Sequence, residues 1–142
     1  MKVGRLRFHH FGLATRSLQK SSAFLEAEGY QVGPSVFDPE QSVRLIFADH
    51  PAMPAVELVS PELGMPGPVD TILKSSATAL YHLAYGCPKI EDAVEELRTA
   101  GFRVIPIVPP KPAVLFGGTR VAFYTVKDFG LIELIEEPSQ PA

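Results

Sequence analysis

His10-Phe11-Gly12-Leu13-Ala14 and, 72 positions later (82 less 10), His82-Leu83-Ala84-Tyr85-Gly86 decide how this chain is read. Each opens on histidine and places a small residue third and fifth. The same offset joins Gly29-Tyr30 and Val32 to Gly101-Phe102 and Val104. Beyond that point it becomes 76 (132 less 56), because Arg44, Phe47 and Val56-Glu57-Leu58 answer Arg120, Phe123 and Ile132-Glu133-Leu134. An insertion of four residues in a loop of the second copy accounts for the change. A repeat of this kind is a statement about architecture. Here each copy also delivers one His near its start and one Glu near its end, which makes function arguable.

Working outward from the first motif, Leu6 to Ala14 is apolar on both parities, as expected of a strand buried on two faces. Ser17 predicts a helix N-cap, the apolar residues Leu18, Ala23, Phe24, Leu25 and Ala27 predict one buried stripe, and Gly29 sits where a left-handed C-cap belongs. Strands are expected at about Tyr30 to Phe37, Val43 to Ala48 and Ala55 to Val59, and a short connecting helix over Val69 to Ser75. Leu80 to Gly86 restarts the pattern. Ile90, Ala93, Val94, Leu97 and Ala100 are spaced as one helix face that stops at Gly101. Phe102 to Val108, Thr119 to Val126 and Gly130 to Glu136 complete the second copy. The reading is α+β: two tandem β-α-β-β-β modules, about 5–61 and 80–137, joined by a linker at 62–79 within a single domain, 1–142. The fourteen prolines, clustered at Pro51 to Pro68 and Pro106 to Pro112, read as rigid loops between elements.

The totals narrow the function. A chain of 142 residues is long enough to bury roughly 68 to 70% of its unfolded surface. Cys87 is the only cysteine, which excludes an intrachain disulfide and suits a reducing cytoplasm. No secretory signal and no apolar run of about 20 residues is visible, so neither export nor a membrane span is expected. The net charge of −3, with both signs interspersed, offers no basic face for nucleic acid or anionic membrane.

Strand parity places His10, Gly12 and Ala14 on one face and His9, Phe11 and Leu13 on the other, with His82, Ala84 and Gly86 likewise opposing Tyr81, Leu83 and Tyr85. The histidine face is otherwise small in both copies and predicts a hollow; the bulky face suits packing beneath a helix. Glu57 and Glu133 each point away from two aliphatic neighbours, and a carboxylate buried there needs a partner or a metal. A lone strand histidine is more often a satisfied core or surface residue. That reading gives no reason for His and Glu to recur at matching positions, so His10, Glu57, His82 and Glu133 are the candidate ligands. Two imidazoles and two carboxylates suit a divalent transition metal (Zn, Ni, Co, Mn or Fe) better than Ca or Mg. Such a metal can stabilise an enolate formed by proton removal next to a carbonyl, with Glu133 or Glu57 as the catalytic base.

The other candidates carry less. His9 and His50 have no counterpart of their own type across the repeat. Arg44 and Arg120 match and could meet a substrate phosphate or carboxylate, although structural ion pairs are slightly favoured. Lys111 and Gly117-Gly118 make a weak phosphate signal in a long loop. Cys87 has no evident activating base and reads as inert.

These residues resemble the vicinal oxygen chelate superfamily, which includes glyoxalase I, methylmalonyl-CoA epimerase, bleomycin-resistance proteins and extradiol dioxygenases. The motifs that carry the likeness are His10-Phe11-Gly12-Leu13-Ala14, Val56-Glu57-Leu58-Val59-Ser60-Pro61, Tyr81-His82-Leu83-Ala84 and Gly130-Leu131-Ile132-Glu133-Leu134-Ile135-Glu136. Glu40-Gln41-Ser42-Val43 and Arg120-Val121-Ala122-Phe123 are more similar to the epimerase branch. The resemblance implies an open, cupped mixed sheet with His10, Glu57, His82 and Glu133 around one metal, and a metal-dependent lyase, isomerase or epimerase acting on a small carbonyl or thioester. An ungapped match places Leu45 where some epimerases carry an additional catalytic carboxylate. The proline-rich stretch Pro109 to Gly118 departs from what a coenzyme A site would lead one to expect. Two alternatives stay open: a non-catalytic small-molecule binding or resistance protein of the same fold, and an Fe(II) oxygenase using two histidines and one carboxylate. A homodimer is expected from exposed sheet edges and short modules.

Overall fold

The computed structural model describes residues 3–62 and 68–137. Its elements run β1 (Arg7–Thr15), α1 (Leu18–Ala27), β2 (Gln31–Val32), β3 (Val36–Asp38), β4 (Val43–Asp49), β5 (Ala55–Pro61), α2 (Pro68–Ile72), β6 (Thr78–Cys87), α3 (Ile90–Thr99), β7 (Val104–Pro112), β8 (Arg120–Val126) and β9 (Gly130–Glu136). By contacts the chain divides into two compact units, residues 10–81 and residues 1–9 with 82–142. No helix among the described residues is long and apolar enough to cross a membrane.

In the unit 10–81, β1 runs parallel to β5, β5 is antiparallel to β4, and β4 is flanked by the short β2 and β3. The expected strand from Tyr30 to Phe37 is broken in two: Gly33 still donates to the Phe47 carbonyl in the register of β2, Pro34 has no N–H to carry the ladder on, and β3 resumes against β4 with its register shifted by one residue. Helix α1 begins at Ser17, whose hydroxyl accepts the Lys20 N–H, and ends before Gly29, at φ 91°. Its stripe is narrower than the composition implies. Leu25 is the one buried residue, packing with Ile46, Ala48 and Leu58 and helped by Leu18, whereas Phe24 is 64% exposed. Leu18 and Leu25 lie seven residues apart and share a face; Phe24, one position earlier, is turned about 100° from it.

The other unit repeats the arrangement: β6 parallel to β9, β9 antiparallel to β8, β8 antiparallel to β7. Helix α3 ends before Gly101, again at positive φ (101°). Ile90, Ala93, Val94 and Leu97 are all buried against Cys87, Val104, Ala122, Tyr124, Ile132 and Leu134. This is the stripe that the 3–4 spacing predicts, although Ala100 is exposed.

The second proline cluster corrects the reading of prolines as loops. Pro106, Pro109, Pro110 and Pro112 lie within β7. Strand β7 ends the strand order and, among the described residues, pairs with β8 alone, so no second neighbour there calls on the missing N–H groups. Register shifts after Pro106 and after Val108 absorb the irregularity, and the loop shrinks to a turn closed by the Ala113 N–H on the Thr119 carbonyl.

Candidate metal centre

Each candidate pair is built the same way. In the unit 10–81, Glu57 on β5 stands between Gly12 on β1 and Phe47 on β4 in the strand register. In the other unit, Glu133 on β9 stands between Ala84 on β6 and Phe123 on β8. The small residue leaves room for the carboxylate. The histidine lies two residues before it on the same strand, hence on the same face. This is why the motif needs a small residue at its third position.

His10 Nε2 lies 3.9 Å from Glu57 Oε1, and His82 Nε2 lies 3.2 Å from Glu133 Oε1. His10, Glu57, His82 and Glu133 are 0%, 5%, 2% and 4% exposed. Carboxylates held this far from water are costly unless a cation or hydrogen bonds compensate them. Each of the four residues offers one atom capable of ligating a metal, and two nitrogens with two oxygens fit a divalent transition ion.

Phe47 and Phe123 carry a role that their match across the repeat announces but does not specify. The Phe47 ring lies edge-on to His10, with centroids 5.4 Å apart and planes at 88°. Phe123 repeats this on His82 at 5.2 Å and 86°. Their recurrence at the 76 offset, together with alternation along the hairpin, was the available signal.

The remaining candidates take structural places. His50 Nδ1 accepts the N–H groups of Ala52 and Met53, its Nε2 donates to the Glu28 carbonyl at the end of α1, and its ring leans on Tyr30. His9 meets the Phe116 ring at 5.4 Å. Arg44 pairs with Glu62 at 2.7 Å and lies over Phe37. Arg120 pairs with Glu136 at 3.0 Å and with Glu91, and Glu136 also accepts the N–H of Ile90 at the start of α3. The hydrogen bond from Arg120 holds the Glu91 carboxyl below its usual range, and Glu91 in turn raises the guanidinium. The matched arginines thus hold elements together. Cys87 is 2% exposed; burial, followed by the nearby Glu136, Glu137 and Glu91 charges, pushes its thiol up to about 12, so it carries no thiolate at neutral pH. Leu45 is buried, 7% exposed, on β4 between Val36 and Val59 in register; no carboxylate stands at that position.

The chain matches the family model of the Glyoxalase/Bleomycin resistance protein/Dioxygenase superfamily over residues 9–123. It is 32% identical over 136 residues to an ethylmalonyl-CoA/methylmalonyl-CoA epimerase of Cereibacter sphaeroides, covering 93% of this chain and 97% of that one. The methylmalonyl-CoA epimerase structure from Mycobacterium tuberculosis shares its fold, with a TM-score of 0.74 at 18% identity over 94% of this chain and 89% of that one. A variant of Streptomyces coelicolor methylmalonyl-CoA epimerase, in complex with 2-nitronate-propionyl-CoA, is similar at 26% identity and a TM-score of 0.69, covering 91% and 95% of the two chains. The α+β fold expected from the repeat is the fold of these proteins.

Proposed function

We infer that this chain, which belongs to the glyoxalase/bleomycin resistance protein/dioxygenase superfamily and is an epimerase-like enzyme within it, removes and returns a proton at the carbon next to a thioester carbonyl. The observation that carries this reading is the duplicated buried His–Glu pair, His10 with Glu57 and His82 with Glu133. Each module, about 5–61 and 80–137, would supply one imidazole and one carboxylate to a single divalent transition metal. A metal held there would supply Lewis-acid polarisation of the substrate carbonyl.

The chain's own groups do the rest. His10 and His82 each turn Nε2 toward their glutamate and would offer ring nitrogens to the ion. Glu133 takes the α-proton while the C–H electron pair passes into the enolate, and reprotonation of the opposite face inverts the centre. Leu45 supplies hydrocarbon only, so Glu57 is the group left to return a proton, which it must carry as the neutral acid and take from solvent between turnovers, as Glu133 gives its own up. Burial of all four side chains keeps bulk water off the enolate itself, so solvent hydrogen reaches the α-carbon only through the carboxyl groups. The substrate we favour is an acyl-CoA thioester with one substituent on the α-carbon. It is processed in the cytoplasm by a homodimer whose contact covers the apolar hollow of about 470 Å³ beside Phe24 and Leu80.

The test is proton exchange in deuterated water with methylmalonyl-CoA as the probe. Deuterium enters the α-position with wild-type protein and is lost with Glu133→Gln. Tight binding of the thioester without exchange would turn the reading to sequestration, and a chain that holds no transition metal near one per chain would end it. Sedimentation at micromolar concentration checks the dimer.

A further inference from the structure

Phe47 and Phe123 stand out because they meet the candidate ligands twice over. Each is the direct cross-strand neighbour of a glutamate, Phe47 of Glu57 and Phe123 of Glu133, and each presents its ring perpendicular to the paired histidine. Both contacts recur with centroid distances 0.2 Å apart (5.4 against 5.2) and angles 2° apart (88 against 86). A side chain that merely filled space has no reason to keep an angle.

Rotation about χ2 of histidine is broad and roughly two-fold, so the strand backbone alone does not fix which ring nitrogen faces the carboxylate. A perpendicular aromatic wall restricts it. The imidazole keeps its plane against the ring, and Nε2 stays turned toward the glutamate, at 3.2 Å in one pair and 3.9 Å in the other. We propose that Phe47 and Phe123 are positioning residues, each orienting its histidine and walling its glutamate so that the half-site is set before a metal arrives. The two differ in degree. Phe123 is 4% exposed and sits beside the shorter pair, whereas Phe47 is half-buried beside the longer one. The His82 half-site is therefore the more rigid, and Phe123 the residue whose loss weakens metal binding more.

This inference rests on the metal reading above, and the experiment separates the two. Cobalt(II) alone is titrated into metal-free protein, with affinity and the visible absorption of the ion as readouts. Phe123→Leu keeps an apolar side chain of similar reach but no ring; it weakens cobalt binding about three- to tenfold, the range an aromatic contact is worth, and alters the band shape. Phe47→Leu does the same to a smaller extent, and Phe47→Tyr, which keeps the ring at a half-buried site, restores both readouts. Ile90→Ala, in the buried α3 cluster that contains none of the four candidate ligands, lowers stability and leaves the spectrum unchanged. Wild-type affinity and spectrum in both leucine variants would overturn the positioning role and leave the metal reading intact. A wild-type chain that takes up no cobalt would overturn the metal reading and the positioning role with it.

Discussion

Replacing Glu133 by glutamine separates a metal ligand from a structural ion pair by the sign of one measurement. The substitution is isosteric and leaves the 4% exposed position filled, so packing is preserved and only charge is removed. For 142 residues, an unfolding entropy of about 2.1 cal/mol/K per residue gives about 0.3 kcal/mol per degree near the midpoint. A metal at one hundred times its dissociation constant stabilises the wild type by about 2.7 kcal/mol, a rise in Tm of about 9 °C. Losing one anionic ligand weakens binding at least tenfold, which cuts that rise to about 5 °C, and a hundredfold loss cuts it to about 1 °C. In excess chelator the order reverses: the neutral amide is cheaper to bury than the carboxylate, so Glu133→Gln melts at or above the wild type. If Glu133 only closes an ion pair with His82, breaking it costs about 3 to 5 kcal/mol whether metal is present or not. Scanning calorimetry of both proteins, with zinc and with chelator, decides the matter. An equal fall of roughly 10 °C or more in both conditions, with a wild-type midpoint that zinc does not move, refutes the reasoning.

Three further outcomes follow from the packing and charges. Ile90→Ala, at 0% exposure on the inner face of α3, costs about 2 to 5 kcal/mol in urea unfolding, whereas Phe129→Ala, 59% exposed in the turn before β9, costs less than about 1 kcal/mol. Arg120→Met leaves the KM for a thioester substrate unchanged and lowers stability only slightly, because the pair is exposed and screened by solvent. Since the Glu91 carboxyl is held below its usual range, its contribution is present at neutral pH and lost as the pH falls through that depressed value; the variant shows less of this acid loss. Cys87 resists iodoacetamide at pH 8 in the native state. With its thiol raised from 9.0 to about 12, its stabilising contribution is whole below pH 9 and lost as the pH climbs toward 12, at up to about 1.4 kcal/mol per unit, so Cys87→Ala shows a flatter alkaline limb in urea titrations.

The sequence by itself determined the duplicated α+β arrangement, the glycine-marked ends of α1 and α3 and the choice of four candidate ligands, whereas the connecting helix expected to reach Ser75 stops at Ile72. Those features rest on local chemistry that repeats. Positive-φ glycines at 29 and 101 stop helices wherever they occur, and a two-residue strand period puts a histidine and the small residue after next on one face whatever surrounds them. The face of β5 and β9 that carries Glu57 and Glu133 was readable for the same reason.

What only the tertiary structure decided depends on which strand lies beside which. The prolines of β7 read as loop until the pairing made β7 a terminal strand with one neighbour. The apolar residues of α1 read as one stripe until packing singled out Leu25 and left Phe24 outside. Arg44 and Arg120 were matched without a purpose until Glu62, Glu91 and Glu136 came within reach. Phe47 and Phe123 belonged to the repeat, yet their meeting with His10 and His82 needed the register of β4 on β5 and of β8 on β9. Local propensity acts over a few residues, whereas these contacts join positions 10 or more apart in the chain, and only a fixed register brings such positions face to face.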